Sequence, residues 1–154
     1  MSGGGIKVVA ENRQARHNYF VEERLEAGII LTGTEIKSIR AGRVNLRDSY
    51  AEITDGEVWA ARMHISPYDK GNRFNHNPLR RRKLLLHKAQ IRKLSGKVQQ
   101  QGMTLVPLRL YIARGLAKVE IGLCRGKKTY DKRAAIAGRD AEREIARAFR
   151  AAAR

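Results

Sequence analysis

Short runs of strand-like residues, separated by dipeptides that suit tight turns, recur along this 154-residue sequence. Asp55-Gly56 and Arg114-Gly115 each lie between two such runs, and Asp-Gly in that position is the strongest short signal of a β-hairpin. The strand-like segments are residues 7–10, 19–25, 29–31, 49–54, 57–65, 104–112 and 116–124. At least six strands at hairpin spacing predict a mainly β fold, an antiparallel β-barrel of the oligonucleotide-binding type with added helices.

A short helix is predicted at residues 35–41, directly after an apolar run that ends at Gly33. Thr34 is the predicted N-cap, and Glu35 in the first turn complements the positive end of the helix dipole. Gly42 suits the left-handed residue that often ends a helix. These signals place a helix between two predicted strands.

The two sides of this helix predict different surroundings. Ile36 and Ile39 are three residues apart, so both are expected to enter the core. Lys37, Arg40 and Arg43 repeat at the same spacing along another side. A short helix that closes a sheet and carries a basic edge is typical of a scaffold for a polyanion.

Four further features complete the predicted fold. Residues 87–101 have helical spacing, interrupted at Ser95-Gly96. Residues 26–28 are predicted to form a turn. Trp59 alternates with apolar residues and is predicted to lie in the core, and Pro107 indicates a strand edge or a bulge.

The charge balance indicates the kind of partner. The chain has 32 Lys and Arg against 15 Asp and Glu, so its net charge is +17 and its pI about 10.8, as in basic domains that bind nucleic acid. The alternative is a basic surface that only keeps the protein soluble. No apolar run approaches the roughly 18 residues of a membrane span, and the N-terminus has no secretory signal, so a cytoplasmic protein without a membrane partner is expected.

The segment that begins at Asn12 combines cations with rings. Arg13, Arg16 and His17 precede the aromatic pair Tyr19-Phe20. Contacts with RNA use charge for the backbone and a ring for stacking. The alternative is a solvated loop that leads into a strand in which one of the rings packs.

The densest run of cations is Arg80, Arg81, Arg82 and Lys83. Three leucines, residues 84–86, follow it directly, so the run is expected to lie beside a buried element. We therefore expect these cations to hold phosphate contacts at fixed positions, although most charge runs are only a solvated face.

Carboxylates are scarce in this sequence, which draws attention to Glu26. A carboxylate in a basic protein usually forms a salt bridge. It can also accept a hydrogen bond from the amino group of guanine or cytosine, which would give base selectivity. Both interpretations of Glu26 remain open at this stage.

No arrangement of residues predicts an enzyme, a cofactor or a metal site. The segment 126–129 is not a phosphate-binding loop, because Lys128 occupies the position that requires Ser or Thr. His76 has no second ligand at metal-binding spacing. Cys124 lies in an alternating run, where a buried and inert thiol is expected. A single cysteine also fits the reducing cytosol.

Beyond Gly138 the sequence has the spacing of an amphipathic helix. Its arginines fall within about 80° of arc at 100° per residue: Arg139, Arg143, Arg147, Arg150 and Arg154. The opposite face is thin, with Ile145 and Phe149 as its bulky members. Such a segment is expected to be disordered when free and helical against RNA.

The sequence resembles the SsrA-binding protein (SmpB) family along nearly all of its length between Asn12 and Arg133. The matching stretches, which include NRQARHNYF and RGKKTYDKR, are residues 12–29, 31–53, 64–88 and 118–133. The resemblance implies an oligonucleotide-binding-type barrel with about three helices, one of them in the C-terminal tail. It also implies a cytoplasmic bacterial factor that binds transfer-messenger RNA during trans-translation, the rescue of stalled ribosomes.

The resemblance implies a surface that binds the tRNA-like domain of this RNA. The family's RNA-binding positions correspond here to Glu26, Leu85 and His87. Some relatives carry Asn at the position of His87, and either side chain can form the hydrogen bond. The Asn12–Arg16 stretch and Lys127-Lys128 are expected to add contacts to the RNA backbone.

The resemblance also implies a role for the tail in the empty messenger channel and decoding centre of the ribosome. Tyr130 corresponds to a ring that stacks on a decoding-centre base, and Asp131, Lys132 and Arg133 match the motif that follows. Phe149 is the best candidate for an apolar anchor of the tail.

The expected organisation is a flexible N-terminus at 1–11, a barrel domain at 12–130 and a basic tail at 131–154, acting as a monomer on RNA. Two other functions remain open. A ribosomal or ribosome-assembly protein would bind ribosomal RNA constitutively, and an RNA-processing enzyme would leave cleaved or modified products.

Overall fold

The computed structural model describes residues 5–69 and 75–127, together with Arg143. Within this part of the chain the strands are β1 (Ile6–Glu11), β2 (Tyr19–Ile29), β3 (Val44–Asn45), β4 (Tyr50–Thr54), β5 (Glu57–Ala61), β6 (His64–Ile65), β7 (Arg82–Leu85), β8 (Thr104–Ala113) and β9 (Leu116–Gly126). The helices are α1 (Arg13–Asn18), α2 (Gly33–Arg40) and α3 (Lys88–Gln101). The predicted mainly β class is confirmed, and α1 is a helix that the sequence patterns did not predict.

Six strands close into an antiparallel ring in the order β4-β5-β7-β2-β9-β8. The ring closes where Ala51 of β4 lies opposite Leu105 of β8. β1 pairs with residues 109–113 of β8 and is the outermost strand. The pairings join the six strands into a closed ring, as in the predicted oligonucleotide-binding-type barrel, and the β4–β8 contact is a single residue pair.

The main core fills the barrel, and two helices close it. Val58, Leu110 and Ile121 from three different strands are fully buried inside. Ile39 of α2 and Leu94 of α3 join the same cluster at 1% and 2% exposure. The helices therefore act as plugs that fix the position of the side chains on their outer faces.

α2 begins two residues earlier than predicted. Its N-cap is Thr32, whose hydroxyl accepts a hydrogen bond from the backbone N–H of Glu35. The Glu35 carboxylate in turn accepts from the backbone N–H of Thr32 at 2.8 Å, which completes a capping box. The prediction of Thr34 as the cap was wrong, while Gly42 does take the expected left-handed conformation with φ +76°.

The inward face of α2 differs from the predicted one. Ile39 is buried, but Ile36 is 38% exposed, so the prediction that both enter the core was wrong. Glu35 and Ser38 take the inward positions instead, and both are fully buried. A buried carboxylate in this position needs a charged partner, and Arg82 provides one.

β2 is one continuous strand, so the turn predicted at residues 26–28 was wrong. Its pairing with β9 runs from Tyr19 opposite Gly126 to Gly28 opposite Lys118. A register shift between Val21 and Glu23 bends the strand without ending it. Residues 26–28 therefore lie on the barrel wall.

Trp59 lies on the outer face of β5, and its predicted place in the core was wrong. Val58 and Ala60 are buried on this strand at 0% exposure, and Ala61 at its end is buried at 5%. The guanidinium of Arg81 stacks 5.0 Å from the half-buried Trp59 ring. Arg62 has φ +59° and interrupts the strand, so the alternation between residues 59 and 65 changes sides there.

Both predicted hairpins are confirmed. Asp55 and Gly56 have φ of 53° and 74°, and Arg114 and Gly115 have φ of 53° and 77°. Two successive residues with positive φ match the right-handed twist of paired strands. The tip at Gly115 brings the end of β8 next to the start of β9.

Two details of the remaining elements test the sequence patterns. α3 continues through Ser95-Gly96, so the predicted interruption was wrong. The register of β8 against β9 shifts between Pro107 and Arg109, which confirms the bulge predicted at the proline.

A second, smaller apolar cluster seats α1 on the barrel. Ala15 packs with Val106 and Cys124, at 2%, 2% and 0% exposure. Burial raises the pKa of the Cys124 thiol to about 11. The prediction of a buried cysteine is confirmed.

Part of the predicted surface lies outside the residues that the structure describes. These residues are Lys128, Tyr130, Asp131, Lys132, Arg133, Arg139, Arg147, Phe149 and Arg150. The predicted C-terminal helix lies there too, except that Arg143 is helical and exposed. Within the described residues, the helices are too short or too polar to cross a membrane.

Candidate nucleic-acid interface

One end of the barrel brings together five of the predicted site residues. Leu85 lies opposite Gly28 across β7 and β2, and Glu26 is two residues before that glycine on the same face of β2. His87 follows Leu85 by two residues, and Arg40 of α2 lines the same cleft as Leu85. Lys37 is one turn before Arg40 on the same helix. We call Glu26, Lys37, Arg40, Leu85 and His87 the barrel-end surface.

Glu26 is held in place by two residues that the sequence patterns did not single out. The Tyr111 hydroxyl donates a hydrogen bond to Oε2 of Glu26, and Nζ of Lys118 lies 3.9 Å from Oε1. Burial and the hydrogen bond to Glu26 raise the pKa of Tyr111, so its hydroxyl stays protonated and remains a donor. The Glu26 side chain is still 56% exposed and can accept a further hydrogen bond.

Leu85 and His87 reach solvent from positions that the backbone fixes. Leu85 is 51% exposed, although its neighbour Leu84 is buried in the core. His87 is the N-cap residue of α3, where its backbone N–H donates to the Gln90 side chain at 3.0 Å. An exposed apolar side chain beside an exposed imidazole suits contact with a nucleotide.

The cations of α2 differ in their surroundings. Lys37 lies over the ring of Tyr68, with Nζ 5.3 Å from the ring centroid, and Arg40 is exposed. Arg43, which was predicted to continue this edge, forms an ion pair with Asp69. Within the described part of the chain, Lys37 and Arg40 are therefore the two cations on this side of α2 that form no ion pair with a carboxylate.

A second basic surface lies around α1. Arg13 and Arg16 are exposed on this helix, and His17 is half-buried. Lys127, which follows β9, donates from Nζ to the Arg16 carbonyl at 3.1 Å, and its Nζ lies 5.0 Å from the centroid of the Phe20 ring. We call Arg13, Arg16, His17, Phe20 and Lys127 the α1 surface.

Asn12 supports the α1 surface from beneath. It is 6% exposed, and its Nδ2 donates to the carbonyl oxygens of Leu46 at 3.2 Å and Pro107 at 3.0 Å. Its Oδ1 accepts from the backbone N–H of Ala15 at 3.2 Å and caps α1. The side chain of Asn12 is thus committed to the fold and does not reach the surface.

The basic run at residues 80–83 is largely neutralised within the protein. Arg80 and Arg82 both pair with Glu35, and Arg82 is fully buried. Lys83 pairs with Glu57 at 2.8 Å, and Arg81 pairs with Glu52 at 2.8 Å. The burial of Arg82 contradicts the expectation that it holds phosphate: its guanidinium binds Glu35 and the backbone of the loop before β7.

The two basic surfaces lie towards opposite ends of β2. Phe20 and Gly28 are eight residues apart on this strand, which corresponds to roughly 26 Å at about 3.3 Å per residue. Within residues 5–69 and 75–127, the predicted site cations that form no ion pair with a carboxylate are Arg13, Arg16, Lys37, Arg40 and Lys127. No cluster of potential metal ligands occurs among the same residues. The arrangement suits an elongated polyanion that follows the barrel wall.

The family model described as SmpB protein matches residues 9–151 of this sequence. The chain belongs to the SmpB family. SsrA-binding proteins of Desulfitobacterium hafniense and Geobacillus thermodenitrificans are 69% and 61% identical to it over 150 residues. The match covers 97% of this chain in both cases, and 96% and 97% of the two relatives.

A solved structure of the SmpB family has the same fold. It is described as "tmRNA-SmpB: a journey to the center of the bacterial ribosome". Its matching chain is 52% identical, with a TM-score of 0.67, and the match covers 82% of this chain and 93% of the other. The two chains are therefore similar in sequence as well as in fold.

Proposed function

We propose that this protein binds the tRNA-like domain of transfer-messenger RNA and delivers that RNA to stalled ribosomes for trans-translation. The match to SsrA-binding proteins along nearly the whole chain carries this proposal. The protein acts in the cytoplasm, without a catalytic step of its own and as a monomer on the RNA.

The barrel-end surface is the selective part of the RNA interface in this proposal. Glu26 offers a carboxylate oxygen to a base amino group, while Leu85 and His87 contact the same loop of RNA. The geometry of Glu26 supports this role, because the Tyr111 hydroxyl and Lys118 hold its carboxylate while its side chain stays 56% exposed.

The α1 surface supplies contacts to the RNA backbone. Arg13, Arg16 and Lys127 are unpaired cations that face solvent or the Phe20 ring, and such cations bind phosphate without reading sequence. In this assignment Asn12 and Arg82 position the surface residues, and they do not touch RNA.

The tail is proposed to act on the ribosome. Residues 131–154 would occupy the empty messenger channel and decoding centre, next to Tyr130 stacked on a base. Lys132, Arg133 and the arginines that share one side of the tail helix would contact phosphates: Arg139, Arg143, Arg147 and Arg150. Phe149 would be an apolar anchor. Linking this segment to the barrel raises the effective concentration of the second contact once the first has formed.

Ribosome association tests the proposal directly. Ribosomes stalled at the end of a truncated message are sedimented with the full chain, with and without transfer-messenger RNA. We expect the chain to sediment with these ribosomes mainly when the RNA is present, and the stalled peptide to be tagged only when both are present. Association that is equally strong without the RNA would indicate a constitutive ribosomal protein instead.

A further inference from the structure

A groove of about 510 Å³ lies between the β4–β5 hairpin, the second half of α3 and the start of β8. It exists because β4 and β8 overlap only briefly where the barrel closes. Ala51 lies opposite Leu105, and β8 begins at Thr104, so the end of β4 extends beyond the strand next to it. Within the described part of the chain, residues 52–54 of β4 therefore pair with β5 alone.

The open edge of β4 can accept a further strand. The free N–H and C=O groups along such an edge bind an extended peptide, and recesses beside it take alternate side chains of that peptide. α3 does not fill this place, because its residues Ser95, Val98 and Gln99 form the opposite wall of the groove. The groove thus has the form of a site for an extended segment.

The floor of the groove is apolar. Met103 and Leu105 lie there at 8% and 2% exposure, and Ile53 and Val98 are half-buried on its two sides. An aliphatic side chain of an added strand would be buried among these four residues, which favours binding.

The charge of the groove is opposite to that of the protein as a whole. Glu52 and Asp55 line it, and among the described residues no Lys or Arg does, although cations outnumber carboxylates by 32 to 15 in the sequence. Glu52 shares its charge with Arg81 at 2.8 Å. Asp55 is exposed at the hairpin turn and forms no ion pair within residues 5–69 and 75–127. Such a groove repels phosphate and attracts a cationic partner.

We propose that the groove binds an extended, Lys- or Arg-rich segment of a ribosomal protein, which adds as a strand along β4. This inference rests on the proposed function, which brings the chain to the ribosome, and adds a protein contact to the RNA contacts described above. A ribosome offers RNA and basic proteins, and the charge of the groove selects the proteins.

The chain's own basic tail fits the groove less well. Its bulky apolar residues, Ile145 and Phe149, are four residues apart, which is the spacing of a helix face. An added strand needs apolar side chains at alternate positions. The shape of the groove therefore favours a partner segment over the tail.

The first test adds a positive charge to the groove. Gln99→Lys places a cation on its wall, and Gln100→Lys is the matched control, because Gln100 is exposed on α3 and does not line the groove. Lysine is a good helix former, so both variants should fold. Each full chain, with transfer-messenger RNA, is titrated against stalled ribosomes.

We expect Gln99→Lys to weaken this association roughly tenfold, because it sets like charges against each other, and Gln100→Lys to leave it unchanged. Both variants should bind the isolated tRNA-like domain as the wild type does, which locates the defect on the ribosome. An equal effect of the two variants on ribosome binding, or tighter binding by Gln99→Lys, would overturn the proposal.

A photo-cross-link identifies the occupant of the groove. p-Benzoylphenylalanine replaces Gln99 in one full chain and Gln100 in a control chain, and each is irradiated on purified stalled ribosomes with transfer-messenger RNA. A cross-link from position 99 alone to a Lys- or Arg-rich segment of a ribosomal protein would support the proposal. The same cross-links from both positions, cross-links from position 99 to ribosomal RNA or to residues 128–154 of this chain, or none at all would overturn it.

Failure of the proposed function is a separate result, because the wild-type chain would then not bind stalled ribosomes even with the RNA. The groove is decided in that case by adding the peptide Lys-Val-Lys-Val-Lys-Val-Lys to the methyl-labelled full chain. Chemical shift changes at Ile53 and Val98 that Gln99→Lys abolishes would support a site for a cationic strand. Changes centred elsewhere, or none, would overturn it.

Discussion

The carboxylate of Glu35 and the guanidinium of Arg82 form an ion pair that is closed to solvent, with both side chains at 0% exposure. Arg82 also donates to the carbonyl oxygens of Met63 at 2.6 Å and Pro78 at 3.2 Å. Arg80 adds a second guanidinium on the Glu35 carboxylate. This network ties α2 to β7, and those two elements carry Arg40 and Leu85 of the barrel-end surface.

Removing one partner of this pair should destabilise the fold strongly. Arg82→Met leaves the Glu35 carboxylate buried with only Arg80 as a charged partner, so we expect a loss of about 3–5 kcal/mol in the free energy of unfolding. Arg81→Met is the control, because its ion pair with Glu52 is solvent-exposed and such pairs contribute about 0–1 kcal/mol. Urea denaturation measures both, and equal losses would contradict the structural role of Arg82.

The Glu35–Arg82 pair also predicts that the free energy of unfolding depends on pH. Burial opposes ionisation of Glu35, but hydrogen bonds from Arg80, the Thr32 backbone and Arg82 outweigh it and lower the pKa of the carboxyl from 4.5 to about 2. The ionised form is therefore favoured in the folded state, and its contribution is complete above pH 4.5 and declines between pH 4.5 and 2.

This pH dependence is measured by urea denaturation of the wild type and of Glu35→Gln between pH 2 and 6. The wild type should lose stability relative to the variant as the pH falls through this window. Parallel pH profiles for the two proteins would show that Glu35 is not the group responsible.

The sequence contained a signal for the burial of Arg82 that the charge run concealed. Residues 82 and 84 share one face of a strand, and Leu84 is buried, so alternation through β7 puts Arg82 inside and Lys83 outside. Treating all four cations as phosphate contacts missed this. The identity of the partner was beyond reach, because Glu35 meets Arg82 only after the barrel closes.

Gly122 is a position where packing excludes a side chain. A Cβ atom there would lie 2.8 Å from Cδ1 of Leu108 and 3.0 Å from Sγ of Cys124. We expect Gly122→Ala to destabilise the protein by about 1–3 kcal/mol, because the second apolar cluster must shift to accept the methyl group.

Gly96→Ala should have the opposite effect and serves as the control. This glycine lies inside α3, and nothing lies within 4 Å of its Cβ position. Alanine there should stabilise the helix by about 0.5–1 kcal/mol. Thermal unfolding of both variants measures the difference, and a stabilising Gly122→Ala would contradict the packing of Leu108 against β9.

The two basic surfaces should differ in how they affect RNA binding. Arg16→Gln removes one phosphate contact, so it should weaken binding to the tRNA-like domain and to a duplex alike and reduce the slope of log K against log salt by about 1. Glu26→Gln removes no phosphate contact, so the salt slope should stay unchanged.

Selectivity is the second readout of this comparison. Glu26→Gln should reduce the preference for the tRNA-like domain over the duplex by about 1–3 kcal/mol if the carboxylate reads a base. Titrations at several salt concentrations give both quantities. A Glu26→Gln chain with full selectivity would remove the base-reading role from this residue.

The barrel-end surface was only partly visible in the sequence. The scarcity of carboxylates singled out Glu26, and the family resemblance added Leu85 and His87 to it. Lys37 and Arg40 came from helical spacing. Tyr111 and Lys118 were missed because they reach Glu26 through the pairing of β2, β8 and β9, and a single sequence does not specify register across three strands. The same limit hid the groove between β4 and α3, whose walls come from separate parts of the chain.

The most direct test of the account compares the full chain with a chain that ends at Arg133. Both are titrated with the tRNA-like domain of transfer-messenger RNA and with a size-matched duplex, at several salt concentrations. The account predicts that the shortened chain keeps tight and selective binding to the tRNA-like domain, because the barrel carries the recognition surface. Equal affinity of the full chain for both RNAs, or loss of selectivity on shortening, would contradict it.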